Sequence, residues 1–439
     1  MTEGGPEPRK PSRLPRGLAP LGYRNYLLFW IGFVSSNTGR WMELTGAVWL
    51  VYELTSSPLL LGLLGIARAA PAILIGPIAG VIVDRVDLRR LLTATQLIGL
   101  VNSLALGLLV LFGDVQLWQV YLQVTVQSLV QAFDAACRQT LFPSLVPRGL
   151  LSEAVTLSAT AGRSSALVGP ALGGILIATL GEAAPFLANA GTFLVLVLAL
   201  ALMRGVTSVA RIGGASFRVE LVDGLRYIAR APILRGLFML ELVFGVFSMN
   251  PVMITIVGRE TLHVGPEGLG GLLGAPAVGA LFGIGALITF GHAPWPGRFV
   301  LACTVVYAGA LVAFAMAGQY LVAFAILALT GLMDALVSVT RHSVVQLAAP
   351  GEMRGRVMAN MGTVTRGVSP LAQTQSGFLT GIIGAPMALA VAAGVLVTSA
   401  VVTARFNTTL RGFSLAEALG KPAPGGKGRL EIPTPDAVE

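Results

Sequence analysis

Apolar runs about twenty residues long recur from one end of this 439-residue chain to the other, and no other feature limits its fold so severely. A helix of that length just crosses the ~30 Å of hydrocarbon in a bilayer. Only 12% of the residues are charged against 54% hydrophobic, whereas a soluble domain carries roughly a quarter charged. So little polar surface cannot cover a water-exposed globule, and the mean hydropathy of +0.78 agrees. The pattern predicts an all-α integral membrane protein.

A window of spanning length picks out about twelve helices, near 27–51, 59–82, 91–112, 115–136, 154–178, 183–203, 236–257, 268–290, 298–317, 320–342, 357–380 and 385–405. With the N-terminus in the cytoplasm, nearly every Lys and Arg falls on inner loops and tails, and the outer loops keep only Arg259. Basic residues gather on the cytoplasmic side, so both termini are expected there, in the cell (inner) membrane. Residues 1–24 are rich in Pro and Arg without an apolar core, which reads as a cytoplasmic tail rather than a signal peptide. The longest inner connection, 204–235, separates six spans at 25–203 from six at 236–405. Inside it Phe217, Leu221, Leu225 and Ile228 recur at helical spacing opposite Arg218, Asp223, Arg226 and Arg230, as in an amphipathic helix lying at the interface. Residues 406–439 are expected to be a largely disordered cytoplasmic tail.

The two halves echo each other. Arg138, Pro147, Val155 and Arg163 return 203 positions later as Arg341, Pro350, Met358 and Arg366. Ala70-Pro71 and Gly80 return 205 positions later as Ala275-Pro276 and Gly285. Two six-helix bundles related by a parallel repeat are the architecture of a rocking secondary transporter.

Several function classes drop out. The net charge of +9 follows from topology, and no soluble basic face or stacking module for nucleic acid is visible. Cys137 and Cys303 point to neither a disulfide nor a metal site. His263, His292 and His342 are scattered, so no zinc constellation or catalytic cluster forms, and no metal or other cofactor is expected. The phosphate-binding pattern GxxxxGK[ST] is missing, which leaves an ion gradient as the energy source.

Arg40, Glu43, Arg68, Arg163, Glu241, Asp334 and Arg366 fall within the spans. A mid-membrane charge costs roughly 2.5–3.5 kcal/mol on the lenient insertion scale, so four lipid-facing arginines would cost on the order of 10 kcal/mol. These side chains must face protein, water or one another. Arg40 and Glu43 lie one turn apart in the polar stretch "SSNTGRWME", and Arg68 reaches a similar depth. On the fourth span Gln116, Gln119, Gln123, Gln127, Gln131 and Asp134 step by three or four positions, a polar stripe suited to lining water. Arg40, Glu43, Arg68, Gln123, Gln127 and Asp334 are therefore the candidate substrate and proton cavity. Its charges suit an anionic or zwitterionic small molecule, with Glu43 or Asp334 as proton carrier.

Between the second and third spans stands "GVIVDRVDLRR" (80–90). It resembles the signature loop of the major facilitator superfamily, G-x-x-x-D-R-x-G-x-R-R, with Gly80, Asp84, Arg85, Arg89 and Arg90 in register and Asp87 in place of the usual glycine. The resemblance implies that this cluster latches the halves at the cytoplasmic side. "WLVYELTSSPLLLGLLG" (49–65), "AFDAACRQTLFPSLVPR" (132–148), "LVGPALGG" (167–174) and "GEMRGRVMA" (351–359) are similar to the subgroup containing the enterobactin exporter and macrolide-efflux proteins. Gly169, Pro170, Gly173 and Gly174 match the end of a fifth-helix motif associated with family exporters. The implied fold is the twelve-helix major facilitator fold. The implied activity is proton-coupled efflux of a drug or siderophore-like molecule by a lipid-embedded monomer that is not an enzyme. An uptake carrier or facilitator of the same fold, or a non-transporting membrane sensor, are the alternatives.

Overall fold

The computed structural model describes residues 15–83, 86–204, 217–291 and 293–413. The first half runs α1 (Arg24–Thr55), α2 (Pro58–Val83), α3 (Leu88–Phe112), α4 (Leu117–Ser144), α5 (Leu151–Leu180) and α6 (Ala184–Leu202). An intervening α7 (Phe217–Arg230) leads to the second half: α8 (Pro232–Phe247), α9 (Pro251–Glu260), α10 (Pro266–Phe290), α11 (Pro296–Ala315), α12 (Tyr320–Ala348), α13 (Gly351–Ile383) and α14 (Ala385–Phe406). A short α15 (Thr408–Gly412) follows. Many of these helices open on a proline, whose missing N–H is an orphan in a first turn anyway.

Among the described residues nine helical segments are long and apolar enough to cross a membrane, α8 and α9 counting as one. The polar helices α1, α4 and α13 are equally long, at 32, 28 and 33 residues. Together these make the twelve spans. The three that fall short in apolarity carry the polar stretches, a first sign that they face something other than lipid.

The seventh span is broken rather than continuous. Pro251 cannot donate to the helix before it, and the Asn250 side chain caps α9 by accepting from Met253 N at 3.2 Å. The amides freed by the break find partners nearby, as a membrane interior demands. Met249 N donates to the Tyr307 hydroxyl at 2.8 Å, and Asn250 Nδ2 donates to Ser376 Oγ at 2.8 Å. The tail also begins later than expected. Asn407 Nδ2 donates to Pro232 O at 2.6 Å, and Leu410 and Phe413 are buried, so residues 407–413 pack on the second half. The rest of the tail, from 414, lies outside the described residues, as do 1–14 and 205–216. The helix expected in the 204–235 connection is α7; Ile228 is buried and Leu225 is exposed.

The halves meet along two seams, α2 against α13 and α5 against α10, and α9 lies over the ends of α1 and α2. Both seams are built on glycine. A Cβ placed on Gly62 would stand 2.8 Å from Gly377 Cα, and one on Gly270 would stand 3.0 Å from Gly174 Cα. Backbones can approach this closely only where no side chain intervenes. Toward the end that carries the termini the packing loosens: a Cβ on Gly76, Gly285 or Gly355 would meet nothing within 4 Å. The molecule is thus closed at the end opposite its termini.

Candidate functional site

Gly32, Gly39 and Gly46 repeat every seven residues along α1 and seat it on α6, against Leu196, Asn189 with Thr192, and Pro185 with Phe186. Gly169 packs on Thr38 and Trp41, and Gly173 on Met42 and Thr45, so α5 clasps a second face of α1. Gly174 and the Pro170 carbonyl serve the other seam, against Gly270 of α10. These contacts leave one face of α1, carrying Arg40, Trp41, Leu44 and Ala47, turned to a cavity of about 190 Å³. Arg68 of α2 and Gln123, Val124, Gln127, Ser128 and Gln131 of α4 complete its walls, and Glu43 forms part of its floor.

Glu43 is 4% exposed and held from behind. Ser103 Oγ of α3 donates to its Oε2 at 3.0 Å, Asn189 Nδ2 of α6 donates to the same oxygen, and Asn189 also donates to Ser103 Oγ at 3.1 Å. The charges acting on it are those of Arg40 and Arg68. Arg40 donates to Asn37 Oδ1, and its Nε is buried without a partner. The Arg68 guanidinium makes no hydrogen bond or ion pair with the described residues, although its backbone carbonyl accepts from Ser128 Oγ at 2.6 Å. Gln123 and Gln127 are 3% and 6% exposed, yet neither the oxygen nor the nitrogen of either amide has a protein partner. Burying an amide unpaired costs about 1–3 kcal/mol, so four such atoms at one wall mark a place where water or a ligand completes the bonds. Two arginines against one carboxylate leave a surplus positive charge.

The glutamine stripe divides by role. Gln116 and Gln119 form a capping box at the start of α4, Gln119 Oε1 accepting from Gln116 N at 2.8 Å. Only Gln123, Gln127 and Gln131 reach the cavity. Asp134 is a structural anchor: it accepts from Gln96 Nε2 at 2.6 Å and from buried Arg138, which stacks 4.8 Å from the centre of the Phe33 ring. Five of the six expected cavity residues thus come together. Asp334 does not join them. It lies on α12 in the second half, exposed, and the charges acting on it are those of Arg341, Glu241 and Arg163. Arg341 is itself paired with Glu241 in a buried bridge. The side chain of Arg366 is not among those described.

In the signature loop, Asp84 and Arg85 lie outside the described residues, and Gly80 sits near the end of α2. Arg89 donates to Ala201 O of α6 at 3.0 Å, a contact within the first half, and Arg90 is exposed. Asp87, the departure from the family pattern, caps α3 by accepting from Arg90 N at 2.9 Å.

Two features escaped the sequence reading. Ser103 and Asn189 are buried polar residues inside apolar spans, a signal in itself, since such groups are buried only with partners. At the end opposite the termini, Arg259 of α9 pairs with Glu53 of α1 at 2.7 Å and lies 4.2 Å from the ring centre of Trp49. Beside it Tyr52 donates to Glu260 at 3.2 Å, and Trp49 Nε1 donates to Glu182 at 3.0 Å. Arg259 thus rivets α9 of the second half to α1 of the first at that end. Cys137 and Cys303 are buried and unpaired, and the described residues contain no group of His, Cys, Asp and Glu fit to hold a metal.

Comparison with known proteins agrees with this geometry. The profile of the family described as "transmembrane secretion effector", a branch of the major facilitators, matches residues 16–418. The chain is 26% identical to the MFS-type transporter YfiS of Bacillus subtilis (strain 168), over 84% of this chain and 89% of that one. It is 25% identical to the multidrug efflux pump Tap of Mycolicibacterium fortuitum, over 82% and 90%. It is 24% identical to the enterobactin exporter EntS of Citrobacter koseri, over 71% and 72%. Among solved structures, a bacterial homologue of the iron transporter ferroportin in an inward-facing state superposes with a TM-score of 0.66 at 16% identity, covering 89% of this chain and 99% of that one. The nucleoside transporter NupG (D323A mutant) gives 0.67 at 13%, covering 89% and 100%.

Proposed function

The chain belongs to the transmembrane secretion effector family of the major facilitator superfamily and is a multi-pass membrane transporter of small molecules, not an enzyme; from that premise we propose that it exports an anionic or zwitterionic drug or siderophore-like compound by proton-coupled alternating access. The observation that carries this reading is the cavity wall. Arg40 and Arg68 share one carboxylate, and the buried amides of Gln123 and Gln127 have no protein partner. A ligand bearing carboxylate or phenolate oxygens satisfies those donors and takes up the surplus charge, and in a low-dielectric pocket that charge counts for more than in water.

With both termini in the cytoplasm, of the cell (inner) membrane, the closed end faces outward and the present conformation is inward-facing. Alternating access then requires the outer clasp at Arg259 to part and the terminal end to close. In that second state the loop carrying Asp84, Arg85, Arg89 and Arg90 latches the cytoplasmic side.

The test is accumulation of siderophores and drugs in everted vesicles, with and without a protonophore. Accumulation that collapses on adding protonophore supports coupled export. Arg68→Gln should reduce accumulation of anionic substrates about tenfold while neutral ones change little. Uptake confined to right-side-out vesicles would make the chain an importer, and no flux in either orientation would remove transport from the reading.

A further inference from the structure

Resting on the proton-coupled reading, the structure assigns the coupling proton to Asp334, and we propose that ionised Asp334 closes the terminal end by pairing with Arg163 across the cleft between the halves. Two opposite charges, each without a partner among the described residues, lie there on opposite halves. Arg163 lies on α5 of the first half, and Asp334 lies near the middle of α12 in the second. Neither makes a hydrogen bond or ion pair with the described residues, yet Arg163 acts electrostatically on Asp334. Asp334 is exposed and Arg163 is half-buried.

The other charged and titratable groups that act on Asp334 among the described residues are Arg341, Glu241 and Tyr307. Arg341 of α12 is neutralised by Glu241 of α8 in a buried bridge, and Tyr307 of α11 is engaged by Met249 N. Among the described residues, Arg163 is the remaining cation that acts on Asp334. Moving the terminal ends of α5 and α12 together brings the two charges into contact, and pairs that form in only one conformation set the balance between conformations.

Glu43 does not fit the role. Both of its recorded hydrogen bonds are donated to it, by Ser103 and Asn189, and two arginines flank it. Those partners all belong to the first half, so a charge on Glu43 does not bear directly on contact between the halves. The sign of the coupling also disagrees. A proton on Glu43 would make the Arg40–Arg68 cavity more positive and would strengthen binding of an anion. Exchange in opposite directions needs each ligand to favour the opposite conformation. Asp334 meets that need from the half that does not hold the cavity. In the outward-facing state a proton arriving from outside neutralises the carboxylate, frees Arg163 and lets the terminal end open. The proton then leaves on the terminal side, and the ionised carboxylate again favours closure. One proton moves inward for each such cycle.

The experiment needs neither substrate nor gradient. Spin labels at Thr156→Cys and Gln346→Cys, both exposed positions near the terminal ends of α5 and α12, are placed in a Cys137→Ala, Cys303→Ala background in lipid nanodiscs. Their separation is measured by double electron–electron resonance at pH 5.5 and 8.5. The closed-to-open ratio should rise about tenfold or more from the lower pH to the higher, as expected for one close charge pair. Asp334→Asn and Arg163→Gln should remain open at both pH values, and Asp334→Glu should keep the response. A pH response that survives Asp334→Asn, or is missing from the parent, overturns the assignment. Vesicle flux that ignores a protonophore would overturn proton-coupled export instead, leaving the pH switch standing, so the two failures are distinct.

Discussion

Adding one methyl group at Gly62 should unbalance the transporter without unfolding it. The Cβ of Gly62→Ala would stand 2.8 Å from Gly377 Cα and 3.3 Å from both Gly377 N and Gln373 O. Carbon atoms in contact sit at about 3.5–4.0 Å, so the overlap is about 1 Å. Every atom it meets is backbone, which cannot swing aside as a side-chain tip can. The α2–α13 seam must therefore open by about 1 Å, a strain of about 1–3 kcal/mol by the measure of overpacked cores. Alanine also gains about 1 kcal/mol over glycine in a helix, but it gains this in every conformation and so does not favour one over another. The difference moves the population roughly 5- to 150-fold away from the state closed opposite the termini. A Gln127→Cys reporter in the cavity, labelled by a membrane-impermeant maleimide from that side, should react correspondingly faster. Gly76→Ala is the control, because a Cβ there meets nothing within 4 Å. Labelling as slow in Gly62→Ala as in the control, with the protein folded, would refute the idea that this glycine contact holds the seam shut.

Arg259→Gln removes both the ion pair with Glu53 and the cation over Trp49; with exposed pairs worth about 0.2–1 kcal/mol, the same labelling should quicken a few-fold, and unchanged labelling in low salt would exclude a clasp. Ser103→Ala leaves buried Glu43 short of a donor, a loss of about 1.5–3 kcal/mol for a bond to a charged group. Its unfolding midpoint in detergent should fall while Ser103→Thr stays near the parent, and equal midpoints would mean that Glu43 is held by other groups. Asp87→Ala strips the cap from α3 at about 0.5–2 kcal/mol, whereas Asp87→Asn should be close to neutral; a melt that ranks them otherwise contradicts the capping role.

The spans, their number and the membership of the first-half cavity were legible because each rests on a local rule. Apolar length marks a crossing, and a charge inside one demands a partner or water. Arg40 and Glu43 one turn apart, with glutamines recurring at helical spacing, put side chains on one face before any tertiary contact is known. Periodicity could not say where along that face the roles change. Gln116 and Gln119 continue the stripe, but they sit at the helix start, where orphan amides consume them. Asp334 was grouped with Arg40 and Glu43 because depth in the bilayer can be estimated from sequence, whereas the half to which a residue turns depends on how helices pack. The break at Ser248–Asn250 had a visible signal in Asn250-Pro251, an N-cap followed by a first-turn proline. The surrounding apolarity outweighed it.

The repeat explains why the two halves carry different chemistry. Arg138 and Arg341 occupy equivalent positions and both are buried in ion pairs, but their carboxylates come from different places. Arg138 takes Asp134, one turn away on its own helix, and the position equivalent to Asp134 in the second half is apolar Val337. Arg341 takes Glu241 from α8, whose equivalent in the first half is Thr38. Asp134 and Arg138 pair within α4, and Arg40 and Glu43 of α1 line the cavity without an ion pair to that helix. Cross-pairing between α8 and α12 ties those two helices together. It also satisfies Arg341 within the second half and leaves Asp334 without an ion pair among the described residues of its own side. At the position equivalent to Asp334 the first half has Gln131, a neutral amide on the cavity wall. Changing one amide to a carboxylate, and relocating one ion pair, is enough to turn a copied wall of binding groups into a charge that only the opposite half can neutralise.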